Sequence, residues 1–342
     1  MSHAKLIVPA VVVVLILMSS TAPAAHDRSY VAQQSNLILD GANCGFLKSV
    51  DGGVISAEVI QEPAGPAQFV KKHIGQPKYG EFILQTGFAN APALYEWIQQ
   101  SWAMKSTQKS GCLVALDFDM TPKSERQFRD ALLTETTIPA MDGSSKEPAY
   151  LTIKFAPELI RVTSPTTKFE PPAPTPSQKQ CLACNFRLEI DGIDCTKVSR
   201  VESFTVKQAT VTDDIGDARD YAKEPGKLEF PNLKITLAEA AAQPFAAWHE
   251  DFVVKGNNDE SKEKAGSLSL LSPDRAKTLA KIKFYNLGIF RMTPVKSEAG
   301  SDSIARVEVE LYVERMEFLM GEAAEATTPP QAPTAPRIIR RG

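Results

Sequence analysis

The sequence lacks the features by which most enzymes and nucleic-acid-binding proteins are identified. Its 342 residues carry a formal net charge of −3, which provides no electrostatic reason to bind nucleic acid or an anionic membrane. It contains only four histidines, and no serine-nucleophile, zinc-protease or phosphate-loop motif occurs in it. We therefore predict that the protein is not an enzyme, has no catalytic, cofactor-binding or metal-binding residues, and has no nucleic acid partner.

Long hydrophobic runs are also scarce, and the exception lies at the N-terminus. Residues 6–18 are apolar, Lys5 precedes them, and small residues follow with Ala22 and Ala24 at the positions that cleavage requires. A helix of this length spans about 20 Å, less than the roughly 30 Å hydrocarbon core of a bilayer. We predict a signal peptide over residues 1–24 and an exported (periplasmic or extracellular) mature protein with no membrane span. An uncleaved N-terminal membrane anchor is the alternative.

Cysteine is sparse, with five residues in the chain. Cys181 and Cys184 form a C-x-x-C motif, but no second such pair or paired histidine accompanies it, which argues against structural zinc. In an exported protein a cysteine is expected to be a disulfide or a buried thiol. We predict a short-range disulfide from Cys195 to either Cys181 or Cys184. The odd count leaves at least one thiol unpaired or joined to another chain.

What the sequence does have is an internal repeat. The segment LILDGANCGFLKSV at residues 37–50 matches LEIDGIDCTKV and the residues after it at 188–201, an offset of 151 that also aligns two tryptophans. After a few inserted residues, Leu151 and Ile153 fall on Val307 and Val309. The chain therefore contains one domain twice, which we place at residues 36–163 (repeat 1) and 181–320 (repeat 2). The predicted repeat core comprises Leu37, Gly41, Cys44, Trp97, Leu188, Gly192, Cys195 and Trp248.

Two proline-rich segments flank repeat 2. Residues 164–180 read SPTTKFEPPAPTPSQKQ, and such a segment cannot join a central sheet, because proline lacks the N–H group that a ladder hydrogen bond needs. We predict an extended linker there. Residues 321–342 contain few large apolar groups and are predicted to be a disordered tail. A docking or processing tag formed by Arg337, Arg340 and Arg341 is the alternative for the tail.

Alternation of apolar and polar residues predicts strands through most of each repeat. The clearest example is VEVELYVERMEFL at residues 307–319, and AYLTIKFAPELIRV at 149–162 is the corresponding last strand of repeat 1. Helical sequence occurs once per repeat, as APALYEWIQQSW (91–102) and LAEAAAQPFAAWHEDFV (237–253). The predicted fold is mainly β (α+β), with two repeated antiparallel β-barrel or sandwich domains that each carry one helix.

These elements, in this order, resemble the phage tail tube protein family. The likeness rests on a strand ending in Asp191-Gly192, the KVSRVE segment at 197–202, the LKITL strand at 233–237, the helix with a central tryptophan, and the long glutamate-bearing last strand. The family is similar in fold to the haemolysin-coregulated protein of type VI secretion. The resemblance covers about residues 36–162 and 185–320, which is nearly all of the chain predicted to fold.

The resemblance implies a non-catalytic structural subunit whose partner is itself. Subunits of this family join edge to edge into hexameric rings that stack into a tube. A tandem chain is then expected to form a trimer with a pseudo-hexameric ring. The alternative is a monomeric exported two-domain β-binding module, which holds a glycan, peptide or envelope component on loops such as residues 212–225.

Overall fold

Strands dominate the computed structural model, which describes residues 34–64, 69–88, 91–105, 107–165, 181–213, 222–295 and 304–321. The predicted signal peptide, residues 166–180 of the predicted linker and residues 322–342 of the predicted tail lie outside these ranges. Within them, no helix has the length and apolar character needed to cross a membrane.

Repeat 1 forms a series of antiparallel strands with one α-helix between the sixth and seventh. Its strands are β1 (Gln34–Leu39), β2 (Ala42–Leu47), β3 (Ser49–Gly52), β4 (Ile55–Ala64), β5 (Phe69–Tyr79), β6 (Phe82–Gly87), β7 (Lys109–Leu116), β8 (Pro122–Ile138), β9 (Met141–Asp142), β10 (Tyr150–Ala156) and β11 (Leu159–Thr163). Its helix is α1 (Pro92–Trp102), which has proline in its first turn, where the missing N–H costs nothing.

Repeat 2 follows the same order, but its described residues include no counterpart of β2 or β9. Its strands are β12 (Phe186–Ile190), β13 (Val198–Val201), β14 (Phe204–Asp213), β15 (Ala222–Glu229), β16 (Leu233–Ala238), β17 (Lys264–Leu271), β18 (Thr278–Pro294) and β19 (Arg306–Met320). Its helix is α2 (Gln243–His249), preceded by a 3-10 turn at Glu239–Ala241 and continued by a π-helical turn at Glu250–Val254. A second 3-10 turn lies at Glu260–Lys262.

Two predicted elements differ from the observed ones. The predicted last strand of repeat 1 is interrupted, because Pro157 has no N–H to donate and separates β10 from β11. Its counterpart in repeat 2 is Val313, and β19 is continuous there. The predicted second helix is also shorter than expected, since its leading residues complete β16 and the α-helical turns begin only next to Pro244.

The described strands form three antiparallel sheets. One has the order β2-β1-β7-β8-β10-β6-β3, with β11 and the β14–β15 hairpin also paired to the long strand β8. The second has the order β12-β17-β18-β19-β16-β13-β9. The third is the β4–β5 hairpin alone. Strands therefore cross between the repeats at two places, where β14 joins β8 and where β9 joins β13.

Strand registers match between the repeats. The pair Val50–Leu84 of β3 and β6 becomes Val201–Ile235 of β13 and β16, at the predicted offset of 151. Beyond the inserted residues the offset is 156, because Ile153–Thr136 of β10 and β8 corresponds to Val309–Met292 of β19 and β18. Most buried apolar side chains of both repeats pack into one hydrophobic cluster, and Cys112, Val114 and Leu116 form a small second one. The predicted fold class is confirmed: a mainly β chain of two repeated antiparallel domains, each with one α-helix.

Candidate assembly interface

The two repeats of one chain meet through a strand pairing, here called the internal junction. Residues 204–207 of β14 pair antiparallel with residues 135–138 of β8, so that Val206 lies opposite Thr136. The hydroxyl groups of Thr137 and Thr205 are 2.8 Å apart across this pairing. Because Thr137 also pairs with Thr152 of β10, β14 must occupy the other edge of β8. The junction thus extends the sheet of repeat 1 by a hairpin of repeat 2.

Helix α1 supplies the apolar part of the internal junction. Phe318 of β19 is fully buried and packs its ring against Tyr95 and Trp102, with centroids 5.5 and 5.6 Å apart. Trp102 also contacts the ring of Phe230, at 6.4 Å. Aromatic pairs at these distances add to the stabilisation from area burial. The side chains of one repeat therefore complete the core beneath the helix of the other.

Several polar groups at the same junction form hydrogen bonds, although the buried hydroxyl of Tyr95 has no hydrogen-bond partner among the described residues. The buried hydroxyl of Ser101 donates to Oε1 of Gln208 at 2.9 Å. The backbone N–H of Lys223 donates to Oε1 of Glu158 at 2.6 Å, and its ammonium donates to the carbonyl oxygen of Pro157 at 2.7 Å. Burial lowers the pKa of Lys223, because the charged ammonium loses solvation there. The hairpin of repeat 2 is thus fixed by both packing and charge-assisted hydrogen bonds.

A second contact between the repeats joins β9 to β13. Asp142 lies opposite Arg200 in this short pairing, and Nη1 of Arg200 is 3.1 Å from Oδ2 of Asp142. Hydrogen bonds from Ser144, and then the guanidinium of Arg200, lower the pKa of Asp142 below its ordinary value. The carboxylate therefore stays ionised at neutral pH, and it orients the arginine across the boundary.

The hairpin of repeat 1 is built like the one that forms the internal junction. Ser56 lies opposite Lys78 in β4–β5, as Lys207 lies opposite Glu229 in β14–β15. Both hairpins shift register at the same repeat position, one residue after Ala57 and one residue after Gln208. Yet the β4–β5 hairpin pairs with no other strand among the described residues. It carries six exposed large apolar side chains on or beside it: Val54, Ile55, Val59, Ile60, Val70 and Ile74.

The end of β18 is the repeat 2 counterpart of the strand that receives the hairpin. Residues 291–294 pair with β19 on one edge. On the other edge β17 reaches only to Leu287, and no further strand of the described part of the chain follows. Exposed apolar residues surround this edge, namely Val253, Val254, Phe290, Val295 and Ile304.

Exposure differs sharply between equivalent positions of the two repeats. Phe318 has no exposed surface, whereas its counterpart Val162 is 63% exposed. Trp102 is 3% exposed and its counterpart Val253 is 44% exposed. Each surface that the internal junction buries therefore has an exposed apolar copy elsewhere on the chain. The sequence analysis did not single out Val162 or Val253, because their exposure depends on which of the two hairpins pairs with a further strand.

The residues of the predicted repeat core occupy equivalent places. Trp97 and Trp248 are buried on α1 and α2, and the indole N–H of Trp97 donates to the carbonyl oxygen of Thr107 at 2.9 Å. Gly41 and Gly192 have φ of +82° and +72° in the turn after the first strand, a conformation that favours glycine. The remaining members, Leu37, Leu188, Cys44 and Cys195, are buried.

All five cysteines are free thiols in the structure, and the predicted disulfide of Cys195 stays a prediction. Cys184 and Cys195 both line a cavity of about 610 Å³ beside β12, while Cys181 is buried. Burial raises the pKa of the Cys181 thiol to about 12 and that of Cys195 to about 11. Because Cys184 and Cys195 line the same cavity, Cys184 is the partner that we test first.

We expect the exported, unreduced and denatured protein to show three reactive thiols, because a disulfide between Cys184 and Cys195 removes two of five. The measurement is mass spectrometry after maleimide labelling, with a reduced sample as the reference. In Cys184→Ser all four remaining thiols should react. Five reactive thiols in the unreduced wild-type protein would contradict the disulfide.

The described residues contain no group of three or more histidine, cysteine, aspartate or glutamate side chains arranged to hold a metal ion. The features that stand out in the geometry are therefore the internal junction and its exposed copies.

Comparison with known proteins agrees with a tandem architecture. A family model described as T4-like virus tail tube protein gp19 matches the chain twice, over residues 36–161 and 182–317, which is well over half of its length. No curated protein sequence matches the chain significantly.

Among solved structures, a chain of the anti-feeding prophage baseplate aligns with 40% of this chain and 93% of its own, at 13% identity and a TM-score of 0.34. A chain from the sheath–tube complex of an extracellular contractile injection system aligns with 39% and 88%, at 18% identity and a TM-score of 0.33. Hcp1 from Flavobacterium johnsoniae aligns with 39% and 93%, at 13% identity and a TM-score of 0.24. The two family matches confirm the resemblance, and the chain belongs to the T4-like virus tail tube protein gp19 family, whose domain it carries twice.

Proposed function

We propose that this protein is an exported, non-catalytic structural subunit that self-assembles head to tail into rings or tubes. One observation carries the proposal. The β4–β5 hairpin and the end of β18 are left exposed, and they are the repeat equivalents of the two surfaces that meet in the internal junction. A second copy of the chain offers each surface the partner that it lacks.

Physical chemistry favours such an association. Unpaired strand edges with exposed apolar side chains invite pairing with another chain, and a monomer rarely exposes large contiguous apolar patches without a function. The two surfaces differ from each other, so the contact is head to tail, and it closes into a ring when the rotation per subunit permits. If the ring holds six domains, as the family resemblance implies, three chains complete it.

Export is the second part of the proposal, and it rests on residues 1–24 of the sequence. Their short charged region, apolar run and small residues before the boundary are typical of a cleaved signal peptide. An exported tube subunit would assemble outside the cytoplasm. An uncleaved N-terminal anchor would instead tether the same assembly to a membrane.

A second candidate function, a monomeric binding module, is favoured by the cavity beside β12. This strand lies at the edge of its sheet, and an extended peptide could pair with it in the cavity. In repeat 1 the equivalent edge is occupied by β2 of the same chain. The predicted binding loop at 212–225 lies largely outside the described residues.

The test combines imaging with analysis of the N-terminus. The full chain is expressed with its leader, the exported fraction is purified, and its mass is measured to locate the cleavage site. Negative-stain images of the same fraction should then show rings or stacked tubes, and the mature chain should begin at Ala25. Isolated single particles without a central hole at micromolar concentration would overturn the assembly, and an intact residue 1 would overturn the cleavage.

A further inference from the structure

We propose that β4 of one copy pairs antiparallel with β18 of the next copy, in the register that puts Ile55 opposite Met292. The inference rests on the proposed self-assembly and specifies its interface. The residue pairs of this contact between two chains are derived from the equivalent pairs of the internal junction within one chain.

The donor side follows from the two hairpins. Residues 204–207 of β14 are the ones that pair with β8, and Val206 is 2% exposed there. At the offset of 151 its counterpart is Ile55, which is 45% exposed and has no strand beyond its own hairpin among the described residues. The two hairpins share their register and the irregularity after Ala57 and Gln208, so equivalent residues of β4 and β14 occupy equivalent places along the hairpin edge.

The receiving side follows from β8 and β18. Thr136 of β8 receives Val206, and at the offset of 156 its counterpart is Met292 of β18. The neighbouring pairs are then Val54 with Thr293 and Ser56 with Arg291. The pairing ends at Pro294, which corresponds to Ile138, the last residue of the internal pairing. Proline fits there, because the end of a ladder requires no further N–H donor.

The side chains around this proposed pairing are compatible with a second junction. The two charged residues of the internal junction are retained in type. Lys223, whose backbone N–H donates to the carboxylate of Glu158, corresponds to Lys72, and Glu158 corresponds to Glu314; Lys72 and Glu314 are both exposed. We expect these two residues to face each other between chains. Opposite charges at a partly buried contact also help to fix its register.

At the proposed contact, both members of the hydrogen-bonded polar pair of the internal junction are replaced by apolar residues. Ser101 and Gln208, which hydrogen-bond to each other, correspond to Phe252 and Ala57. Replacing both partners by apolar groups leaves no buried donor or acceptor unsatisfied, whereas replacing one of them would. Val162 and Val253 would be covered by the same contact, as Phe318 and Trp102 are inside the chain.

The test is disulfide cross-linking with the double variant Ile55→Cys and Met292→Cys. Directly opposite residues in an antiparallel pair have Cβ atoms about 4.5–5.5 Å apart, near enough for a disulfide after a small adjustment. Under mild oxidation we expect covalent oligomers on a non-reducing gel, with a closed ring of three chains as the largest stable product. Either single variant should give no such ladder.

Two further variants make the test specific. The pair Ile55→Cys with Thr293→Cys is one residue out of register, and its side chains point to opposite faces, so at least tenfold less cross-linking is expected. The pair Val206→Cys with Thr136→Cys reproduces the same geometry inside one chain. It should form a disulfide within one chain, and its cross-linking yield is the reference for the yield of the Ile55–Met292 pair.

The outcomes separate the interface from the function. If the protein assembles and the internal pair cross-links, but the Ile55–Met292 pair does not, the register proposed here is wrong and self-assembly stands. If the protein is monomeric by light scattering, the proposed function fails and the interface with it. Cross-linking at Ile55–Thr293 in place of Ile55–Met292 would indicate a contact slipped by one residue.

Discussion

Replacing Phe318 with alanine is expected to lower the free energy of unfolding by about 3–5 kcal/mol. The ring is fully buried between Tyr95 and Trp102, so its removal leaves a cavity at the internal junction as well as losing the transfer free energy of the ring. Urea unfolding followed by tryptophan fluorescence measures the change directly, because Trp102 itself lies against the lost side chain.

Val162→Ala is the matched control, because Val162 is the repeat equivalent of Phe318 and is largely exposed. At protein concentrations where the chain is monomeric, the control should change the unfolding free energy by less than about 0.5 kcal/mol. Equal losses in the two variants would contradict the asymmetry between the repeats. At higher concentration Val162→Ala should weaken self-association, since the proposed contact covers this side chain.

Ile55→Asp is expected to weaken self-association at least 100-fold without unfolding the chain. In the free chain the side chain at this position is partly exposed, so a carboxylate there remains solvated. In the proposed contact it would be buried like Val206, and an uncompensated buried charge costs on the order of 3–5 kcal/mol. Each 1.4 kcal/mol is a tenfold change in the equilibrium constant. Sedimentation velocity across a concentration series measures the loss.

The control for this variant is Ser56→Asp, one residue along the same strand. Successive side chains of a strand point to opposite faces, and Lys207, the repeat equivalent of Ser56, is exposed at the internal junction. Ser56→Asp should therefore change association by less than about threefold. If both aspartates weaken assembly equally, the face that we assign to the contact is wrong.

The sequence predicted the repeat and the fold class well, for a physical reason. Strand register is fixed by which side chains can be buried, so the matching apolar pattern at the start of each repeat gave equivalent first strands, β1 and β12. The alternation of buried Val307, Val309 and Leu311 in β19 is the clearest case. Patterns of this kind are local, and they can be read without knowing what the chain later packs against.

The junction between the repeats could not be predicted, because it depends on pairing between distant strands. The residue patterns of β14 and β4 do not by themselves show which hairpin pairs with β8. The sequence analysis also did not use a pair of equivalent glycines at which two strands approach closely. Gly111 and Gly266 occupy equivalent places where a Cβ would lie 2.1 Å from the carbonyl oxygen of Ile38 or 2.7 Å from that of Glu189.

The repeats also diverge where one residue changes the backbone. In repeat 1, Gly45 adopts φ of +86°, which lets β2 run beside β1 after the turn held by Asn43. The corresponding residue of repeat 2 is Thr196, whose branched Cβ disfavours that conformation. The segment that contains Thr196 leads to β13 instead of pairing with β12, and a cavity lies beside β12. The sequence shows that Gly45 is replaced by Thr196, but it does not show that β12 is therefore left at the edge of its sheet.

We propose that three chains close a ring through copies of their own internal junction. The most direct measurement is the mass of the mature protein, residues 25–342, by light scattering across micromolar concentrations. We expect a species of three chains, or stacks whose masses are multiples of three chains, and Ile55→Asp should convert either to monomer. A wild-type mass of one chain throughout that range would contradict it.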